Sequence, residues 1–446
     1  MAGVAPSHGP PEEPPAPGPL ALKLYPLAVR VPGLAYIPRP ARRALRRAVL
    51  TRRVQRHTES LPDLRIVAVT GSTGKTTTKN LLGEMLAAAG PTLKTRGNRN
   101  DLDGVPATLL ALRPHHRYAA VELGIYDEPG EMSWMASLFR PSVAILTGIG
   151  DDHVVDYGSR EAIAQEKRAL LERLPSDGTA IVNADDELAR RTAEGLDCNV
   201  ILAGVAEDAD FRVLEARIAW PHGLDLVLVA GARRVELRVP LVGRHHALPV
   251  VLALAAAEAV GVPLEIAARA AASVEPAPGR MNVARGPRGS TFLLDDFKSR
   301  MPSAAVALAT LAEVPAKRRI AVIGELQERD FTPAAYRELA QLLHDRADLI
   351  VAVGRGAPLL QSLLGDEKRV VSAPRIEDAA ALIATEAAEG DVFLVHGASH
   401  QHLERIRLLL GREPVGCTVR RCILHWRCDE CLYLGSGPPA SCVELA

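Results

Sequence analysis

The sequence predicts an α/β fold, with a glycine-rich loop on a mostly parallel sheet in a central domain of P-loop type and a smaller C-terminal Rossmann-like domain. Two observations predict the sheets. Apolar, β-branched runs alternate with helical stretches from residue 61 to about 275, and a second alternating block runs from about 276 to 412. A third observation predicts the loop, because a glycine-rich turn at 71–74 separates a strand-like run from a helix-like run.

Composition divides the 446-residue chain into four parts. Residues 1–60 are proline-rich and then arginine-rich, 61–275 form the central domain, 276–412 form the Rossmann-like domain, and 413–446 form a cysteine-rich tail. Within the central domain, "FRVLEARIAW" and "LDLVLVAGARRVELRVP" resemble antiparallel strands. We expect them to form a small side sheet.

Composition also excludes several classes of protein. The formal net charge is zero and 48% of residues are hydrophobic, as in ordinary globular proteins. Only 4% are aromatic, which argues against stacking on nucleic-acid bases, and no apolar run approaches the roughly 20 residues of a membrane span. The N-terminus lacks a signal-peptide pattern, and five of the six cysteines follow Val415. We therefore expect a cytoplasmic protein with no nucleic-acid partner.

The stretch "VAVTGSTGKTTTKNLL" (67–82) predicts a nucleotide-binding loop. Its two glycines allow a tight turn whose backbone N–H groups surround phosphate oxygens. Lys75 is expected to reach the β- and γ-phosphates, and the Thr76 hydroxyl to bind Mg²⁺. The outer glycine of the common G-x-x-x-x-G-K-[ST] pattern is absent, because Val69 stands in its place. The expected nucleotide-binding residues are Gly71, Ser72, Thr73, Gly74, Lys75, Thr76 and Thr77.

Two further side chains are candidates for a divalent-metal site. Glu122 ends the strand-like run "YAAVE", and His153 follows "SVAILTGIG" in a glycine-rich turn. Because parallel strands end at one edge of a sheet, both side chains are expected near the phosphate loop. Glu122 would supply a hard oxygen ligand, and His153 suits a site that also accepts Mn²⁺.

The segment "RPARRALRRAVLTRRVQRH" (39–57) carries eight arginines and no acidic residue. On a helix its small apolar residues share one side, and most of the arginines lie on the other. Two interpretations stay open. The helix rests on an anionic membrane surface or an acidic partner, or it packs on the protein body with a solvated basic face. We favour the second; the first would place the protein at the membrane surface of the cytoplasm.

Ten motifs follow one another from about residue 65 to 410: "TGSTGKTTTK", "GNRNDLDGVPATLLAL", "VELG", "DDH", "EAIAQEKRALL", "VNADD", "GRHHALPVVLALAAA", "PGRM", "DDFKSRMP" and "HGAS". In this order they resemble the Mur ligase family, the ATP-dependent amide-bond ligases of peptidoglycan synthesis and their relatives. The first motif is characteristic, since the loop of this family also dispenses with the outer glycine. The overall pattern is most similar to the D-alanyl-D-alanine-adding branch.

The resemblance implies roles for residues of the central domain. Lys75 and Thr76 would bind ATP phosphates and Mg²⁺, and Glu122 and His153 would bind two metal ions. Lys167, in "EAIAQEKRALL", stands where the family has a lysine that becomes carbamylated, its new carboxylate serving the second metal. Without the resemblance, Lys167 would be interpreted as a surface charge on a helix.

The resemblance also implies roles for residues of the second domain. Arg280, in "PGRM", would reach the γ-phosphate of ATP. Asp296 and Lys298, in "DDFK", resemble a pair that contacts ATP and substrate in the D-glutamate-adding branch.

The implied activity is that of an ATP-dependent ligase that joins a small-molecule carboxylate to an amino acid or dipeptide amine through an acyl phosphate. Closure of the second domain over the first is expected to exclude water. Two other classes stay open, a phosphotransferase or simple NTPase and a degenerate regulatory homologue. Arg280 and Lys167 argue against the first, and the intact set Lys75, Glu122, His153 and Lys167 argues against the second.

Several positions depart from the family pattern. Relatives that take nucleotide-linked muramoyl substrates begin with a UDP-binding domain, whereas the roughly 60 residues before the loop have a different character here, so we expect another carboxylate substrate. Gly148, His246 and Pro249 stand where the family commonly has Asn. Met301 replaces the Asn, and His396 the Lys, of the branches that the surrounding motifs resemble, so we expect altered specificity on the amine side.

The tail "CTVRRCILHWRCDEC" (417–431) spaces four cysteines as C-x4-C-x5-C-x2-C. Four thiolates bind Zn²⁺ tetrahedrally in closed structural sites. Two interpretations stay open, a loose tail with incidental cysteines, or a structural zinc site formed by Cys417, Cys422, Cys428 and Cys431.

Overall fold

A computed structural model describes Glu12 and residues 39–126, 128–365, 369–419, 427–431 and 433–436, without the side chains of 39–46 and 328. These residues form two compact units. The first contains the described residues up to 216, together with 225–239 and 246–274; the second contains the remainder.

A nine-stranded sheet organises the first unit. Its strands are β1 (Arg65–Thr70), β2 (Thr92–Lys94), β3 (Tyr118–Glu122), β4 (Val143–Leu146), β5 (Thr179–Asn183), β6 (Asn199–Gly204), β7 (Phe211–Ala219), β8 (Gly223–Ala230) and β9 (Arg233–Val239). They lie in the order β2-β3-β1-β4-β5-β6-β7-β8-β9. Strands β1 to β6 pair in parallel, as their continuous apolar runs predict.

Helices cover both faces of this sheet. They are α1 (Arg39–Glu59), α2 (Lys75–Ala87), α3 (Gly104–Ala111), α4 (Glu131–Ala136), α5 (Val154–Tyr157), α6 (Arg160–Leu171), α7 (Glu187–Ala193), α8 (Ala247–Ala259) and α9 (Leu264–Ala271). Alternate strand residues point to opposite faces, so Ile66 and Ala68 pack in one core with residues of α1, α3, α4, α6 and α7. On the other face α2 packs against α8 and α9.

Strands β7, β8 and β9 continue the same sheet, so the expectation of a separate side sheet was wrong. Strand β7 pairs in parallel with β6 through Ala203↔Phe211 and Gly204↔Arg212. The sequence pattern identified the strands but not their attachment, because a short parallel pairing leaves little trace in residue alternation.

Both edges of the nine-stranded sheet carry charged residues. At one edge, the Glu12 N–H donates to the Thr92 carbonyl at 2.8 Å, and the Lys94 N–H donates to the Glu12 carbonyl at 2.9 Å. At the other, β9 has a strand neighbour on one side only among the described residues. There Arg233 of β9 pairs with Glu258 of α8.

A six-stranded sheet organises the second unit, as predicted for a Rossmann-like domain. Its strands are β10 (Asn282–Arg285), β11 (Thr291–Asp295), β12 (Arg319–Ile323), β13 (Leu349–Val353), β14 (Arg369–Ala373) and β15 (Val392–His396). They lie in the order β10-β11-β15-β12-β13-β14, and only β10 is antiparallel to its neighbour.

Two helical layers sandwich the second sheet. The helices are α10 (Met301–Glu313), α11 (Pro333–Arg346), α12 (Ala357–Leu364), α13 (Ile376–Glu386) and α14 (Glu404–Leu410). Along β12, Ala321 and Ile323 pack with α10, α11 and α12, whereas Ile320 and Val322 pack with α13 and α14. The predicted fold class, mixed α/β with mostly parallel sheets, is confirmed.

The arginine-rich helix α1 packs on the first unit. Val54 is fully buried in the core that includes α3, and the Gln55 side chain donates to the Ser137 carbonyl at 2.7 Å. Arg52 and Arg53 are exposed on the opposite side. The helix therefore packs as the favoured interpretation expects, and membrane contact stays a prediction. Among the described helices, none combines the length and the apolar character needed to cross a bilayer.

We expect Val54→Ala to destabilise the first unit by about 1–3 kcal/mol, because it removes buried methyl groups and leaves a cavity. The matched control is Val49→Ala on the same helix, where the valine is 60% exposed and the expected change is below about 0.5 kcal/mol. Urea unfolding of the full chain measures both variants. Equal midpoints would contradict the packing of α1 described above.

Candidate functional site

The candidate site lies at the carboxyl ends of β1, β3 and β4. The strand register places Val69 of β1 beside Glu122 of β3 and beside Ile145 of β4. The loop that follows β1 therefore begins next to the Glu122 side chain and next to Thr147, which follows β4. This is the edge at which parallel α/β sheets bind ligands.

The loop from Gly71 to Gly74 is a tight turn that needs glycine at both ends. Gly71 has a φ of 143°, and a Cβ atom there would lie 2.0 Å from the Thr147 hydroxyl oxygen. Gly74 has a φ of 80° and immediately precedes α2. Val69, at the position of the missing outer glycine, is buried inside β1, where a β-branched residue is favoured.

The side chain of Lys75 folds back over its own loop. Its Nζ donates to the Gly71 carbonyl at 2.7 Å and to the Ser72 carbonyl at 3.2 Å. Ser72 is in turn tied to the turn after β4: its N–H donates to Gly148 and its Oγ accepts from the Gly150 N–H at 2.8 Å. Hydrogen bonds to the turn after β4 therefore hold the loop in place. A negatively charged phosphate would attract the Lys75 ammonium more strongly than these neutral carbonyl groups do.

Thr76 and Glu122, two of the residues predicted to bind metal, are in direct contact. The Thr76 hydroxyl donates to Glu122 Oε1 at 3.0 Å, and the Asn100 amide donates to the same oxygen at 2.6 Å. The Glu122 N–H donates to the Thr95 hydroxyl at 3.0 Å. Glu122 is fully buried, and its second oxygen, Oε2, has no hydrogen-bond partner among the described residues. Buried carboxylate oxygens are rarely left in this state.

Lys79 is a contributor that sequence reasoning missed. It follows Lys75 by one helical turn, is fully buried, and donates to the Thr95 carbonyl at 2.8 Å and to the Gly97 carbonyl at 2.9 Å. The helix that begins at the phosphate loop therefore also holds the segment that positions Glu122. The signal was present in the sequence, since a lysine on the apolar side of a helix calls for buried acceptors.

His153 lies in the turn before α5, with a φ of 72°. Burial lowers its pKa, the positive charges of Lys167 and Lys75 lower it further, and Asp152 and Asp156 oppose the shift. A lowered pKa keeps the imidazole neutral near pH 7, which is the form that binds metals. Its Nδ1 lies 3.5 Å from Asp156 Oδ2.

Tyr126 is a second residue that sequence reasoning missed. Its ring lies 6.2 Å from the His153 ring, centroid to centroid, and its hydroxyl donates to the Asn100 carbonyl oxygen. Burial raises the pKa of the Tyr126 phenol well above its usual range, and the neighbouring carboxylates of Asp101 and Glu122 add to this. Tyr126 therefore stays a hydrogen-bond donor and orients the amide that holds Glu122.

Lys167 is buried on α6 with 1% of its surface exposed, so it is not a surface charge. The preceding residue fixes the helix: the Glu166 carboxylate accepts from the Gly130 N–H at 2.9 Å and from the Met132 N–H at 2.8 Å. These two N–H groups belong to the start of α4, where a carboxylate is favoured.

The predicted site residues of the second unit, Arg280, Asp296 and Lys298, make contacts within that unit. The Arg280 guanidinium lies 4.8 Å from the centroid of the Phe297 ring. Asp296 is fully buried, and Arg427 of the tail donates to its Oδ1 at 2.9 Å. The Lys298 carbonyl accepts from Ser303 at the start of α10. Direct ligand contact by Asp296 would therefore need rearrangement around the buried carboxylate.

Three of the residues that depart from the family pattern have the following surroundings. Gly148 has a φ of 141°, which strongly favours glycine. Pro249 of α8 lies beside the loop, 3.6 Å from where a Cβ on Gly74 would be. His396 is fully buried at the end of β15, and its Nδ1 lies 2.9 Å from Asp295 Oδ2.

The tail cysteines do not form the predicted four-thiolate zinc site among the described residues, and Cys422 lies outside them. The Arg405 guanidinium donates to Cys428 Sγ at 3.0 Å and to Cys417 Sγ at 3.4 Å. Potential ligand atoms of His402, Glu404 and Cys428 do lie within 4.8 Å of one another. Burial raises the pKa of the Cys428 thiol to about 12, which disfavours the thiolate that zinc binds, so the prediction gains no support.

Family models match both units. Residues 69–257 match the model described as Mur ligase middle domain, and residues 279–399 match the model described as Mur ligase, glutamate ligase domain. Together these matches cover most of the sheet-forming residues.

Named relatives share one description, UDP-N-acetylmuramoyl-tripeptide–D-alanyl-D-alanine ligase. The protein from Escherichia coli (strain K12) is 33% identical over 266 residues, which is 59% of this chain, and the chain spans 58% of that relative's length. The protein from Treponema pallidum (strain Nichols) is 30% identical over 362 residues, covering 80% of this chain and 76% of the relative.

Solved structures agree with the fold. A crystal structure of MurF from Acinetobacter baumannii has a TM-score of 0.75 and 28% identity, over 82% of this chain and 81% of that chain. The MurF ligase from Thermotoga maritima, solved in complex with ADP, has a TM-score of 0.72 and 22% identity, over 82% and 84% of the two chains.

We expect Asn100→Ala to weaken Mn²⁺ binding in the presence of ATP by about 10- to 100-fold, because residues that orient a metal ligand commonly have effects of this size. The matched control, Asn199→Ala, changes an exposed asparagine at the start of β6 and should leave the affinity unchanged. Electron paramagnetic resonance of free Mn²⁺ measures both. Unchanged affinity in a folded Asn100→Ala protein would contradict the role of Asn100.

Proposed function

This chain belongs to the Mur ligase family, and on that premise we propose that it is an ATP-dependent carboxylate–amine ligase that forms an amide bond through an acyl phosphate. The observation that carries the proposal is the Glu122 carboxylate. It is fully buried beside the Thr76 hydroxyl at the phosphate loop, and its Oε2 has no hydrogen-bond partner among the described residues.

The donor groups around Glu122 suit Mg²⁺ or Mn²⁺. Thr76 and Glu122 offer oxygen ligands, and His153 offers a neutral imidazole. A bound divalent ion would neutralise charge on the β- and γ-phosphates of ATP. Asn100 and Tyr126 hold the carboxylate in one orientation, so a ligand atom would be in place before the nucleotide arrives.

Lys75 supplies charge to the phosphates in this proposal. In the structure its ammonium binds two carbonyl oxygens of its own loop. A γ-phosphate is a stronger acceptor, so the ammonium exchanges those carbonyls for phosphate oxygens when ATP binds. Ser72, Thr73 and Thr77 lie along the same turn and the first turn of α2, and the start of a helix favours an anion. The Ser72 N–H is bound to the Gly148 carbonyl, so its hydroxyl is the group that Ser72 would offer to a phosphate.

The reaction has two steps. A carboxylate oxygen of the first substrate attacks the γ-phosphorus of ATP, the bond from that phosphorus to the ADP oxygen breaks, and ADP leaves. The nitrogen of the free amine then attacks the acyl carbon, and phosphate leaves the tetrahedral intermediate as the amine loses its proton to solvent. Lys75 would stabilise the charge on the transferred phosphoryl group.

Lys167 has a distinct role in this proposal. Lys167 is 1% exposed, and burial favours the neutral amine of a lysine over its ammonium form. Addition of CO₂ to its neutral amine forms a carbamate and releases one proton, which converts a cationic side chain into an anionic one. The carbamate would offer oxygen ligands to a second metal ion on the His153 side of the site.

The names of the relatives suggest the substrate classes. We propose a peptide carboxylate as the acyl donor and an amino acid or dipeptide, such as D-alanyl-D-alanine, as the amine. Recognition of the amine is expected to differ from that of the relatives, because His396, which is buried beside Asp295, stands where the muramyl-tripeptide branch of the family has a lysine. Lys298 remains the candidate for substrate contact.

The proposed activity is tested by ADP formation with a panel of peptide carboxylates that includes UDP-N-acetylmuramoyl-tripeptide and a panel of amino acids and dipeptides that includes D-alanyl-D-alanine, with product mass as the second measurement. ADP formation should require both substrates, and Lys75→Ala should reduce it at least about 100-fold because a preorganised cation is lost. The control Lys317→Ala changes an exposed lysine of the second unit. ADP formation without an amine would indicate a phosphotransferase or simple NTPase instead, and no turnover with any carboxylate and amine pair would indicate a non-catalytic homologue.

Lys167 variants test the carbamate. Lys167→Ala should lose most activity and regain part of it with added short carboxylates, which can occupy the vacated space. Lys167→Arg should stay inactive, since its guanidinium does not form a carbamate. Steady-state rates with and without acetate measure both effects, and a fully active arginine variant would refute the assignment.

A further inference from the structure

The described part of the tail is docked on the second unit beyond the region that the family models match. Residues 427–431 contact α14, and the Cys428 N–H donates to Glu404 Oε1 at 2.7 Å. Arg405, also on α14, donates to the carbonyls of Cys417 and Val419. The tail is therefore held by buried hydrogen bonds of this unit.

Arg427 is the tail residue that reaches the predicted site motifs. Its Nη1 donates to Asp296 Oδ1 at 2.9 Å, with 10% of the Arg427 side chain and none of the Asp296 side chain exposed. A Cβ atom on Gly279 would lie 2.4 Å from Arg427 Nη1 and 2.5 Å from Asp296 Oδ1. The guanidinium thus lies between the "PGRM" turn and the "DDFK" segment, in a space that only glycine at 279 leaves open.

The remaining nitrogens of Arg427 are also engaged. Its Nε and Nη2 lie 3.2 Å and 3.3 Å from the two carboxylate oxygens of Asp429. Asp429 lies 3.8 Å from Arg407 of α14. Because one edge of the guanidinium faces Asp296 and the other faces Asp429, Arg427 is fixed between two carboxylates and is not placed to bind a substrate itself.

Burial and charge oppose each other at Asp296. The pKa of Asp296 is raised to about 6, chiefly by burial; the Glu404 carboxylate contributes to this rise, and the Arg427 guanidinium opposes it. Glu404 and Arg427 are the charged side chains that affect this carboxyl group most strongly. Without Arg427, the carboxyl group would be left buried near Glu404 with no cation, and its charged form would be disfavoured.

We infer that Arg427 is a positioning residue of the proposed ligase site, in which a tail guanidinium fixes the Asp296 carboxylate against the "PGRM" turn that carries Arg280. The inference rests on the proposed function and deepens it, because it makes the tail a part of the second unit's catalytic surface. Arg280 packs on Phe297, the residue next to Asp296, so the same contact orients both motifs.

The test compares wild type, Arg427→Ala, Arg427→Lys and the control Arg337→Ala, which changes an exposed arginine of α11. The specificity constant kcat/KM for ATP is measured from pH 5.5 to pH 9 with the peptide carboxylate and amine pair that gives wild type its fastest ADP formation. Without Arg427, the acidic limb of the profile of kcat/KM against pH should move to higher pH by about one unit. The reason is that Asp296 must be ionised for activity, and loss of the neighbouring cation raises its pKa. Activity lost at pH 7 should return at pH 9. Arg427→Lys should keep the limb near that of wild type, and the control should match wild type.

A purely structural role predicts a different result, namely a lower thermal unfolding midpoint and a lower rate at every pH, with the limb unmoved. That result would overturn the inference. If wild type shows no amine-dependent ADP formation, the proposed function fails, and the contact is then tested by stability alone. In that case Arg427→Ala should lower the unfolding midpoint more at pH 8 than at pH 5, since ionised Asp296 is then buried without its cation. Adding Asp296→Asn should abolish this pH dependence, and its persistence would overturn the contact as well.

Discussion

The central constraint in this protein is the placement of one buried carboxylate. Glu122 ends β3 at the point where β1 gives way to the phosphate loop, and parallel pairing with Val69 leaves it no other position. Asn100 and Thr95 then fix its side chain and its backbone. The helix that follows the loop binds the segment 95–97 through Lys79. One connected set of hydrogen bonds therefore links the glycine-rich loop to the Glu122 carboxylate. The tight Gly71 turn and the packing of Thr147 follow from this arrangement.

Much of this could be predicted from sequence. The loop, Thr76 and Glu122 follow from the order strand, glycine turn, helix, because parallel strands end at a common edge. The alternation of apolar runs with helical stretches predicted both sheets, because the spacing of apolar residues along the chain depends on the local backbone geometry. Asn100, Tyr126 and Lys79 were not identified, because their importance depends on which distant atoms they contact. The continuity of β7 with β6 was missed for the same reason: register is a property of two segments, and one segment alone does not encode it.

The second unit shows where family resemblance and local environment diverge. Asp296 carries a family role, yet in this chain its carboxylate is buried against a tail that the family models do not cover. The tail cysteines suggested a metal by their spacing, but two of the thiols lie on one arginine instead. The spacing of potential ligands along a chain is therefore a weaker guide to a metal site than the charged groups that surround those ligands in the fold. The sequence pattern alone does not reveal those groups.

The edges of the nine-stranded sheet have a consequence for the behaviour of this protein at high concentration. Unpaired strand edges are templates on which another copy can add a strand, and long sheets are the most exposed to such growth. Here one edge is occupied by the backbone of Glu12, and the other bears arginines bound to acids of neighbouring elements. A second chain approaching β9 would have to strip these ion pairs of their partners and their water. Both edges of the wide sheet therefore disfavour the addition of a strand from another copy.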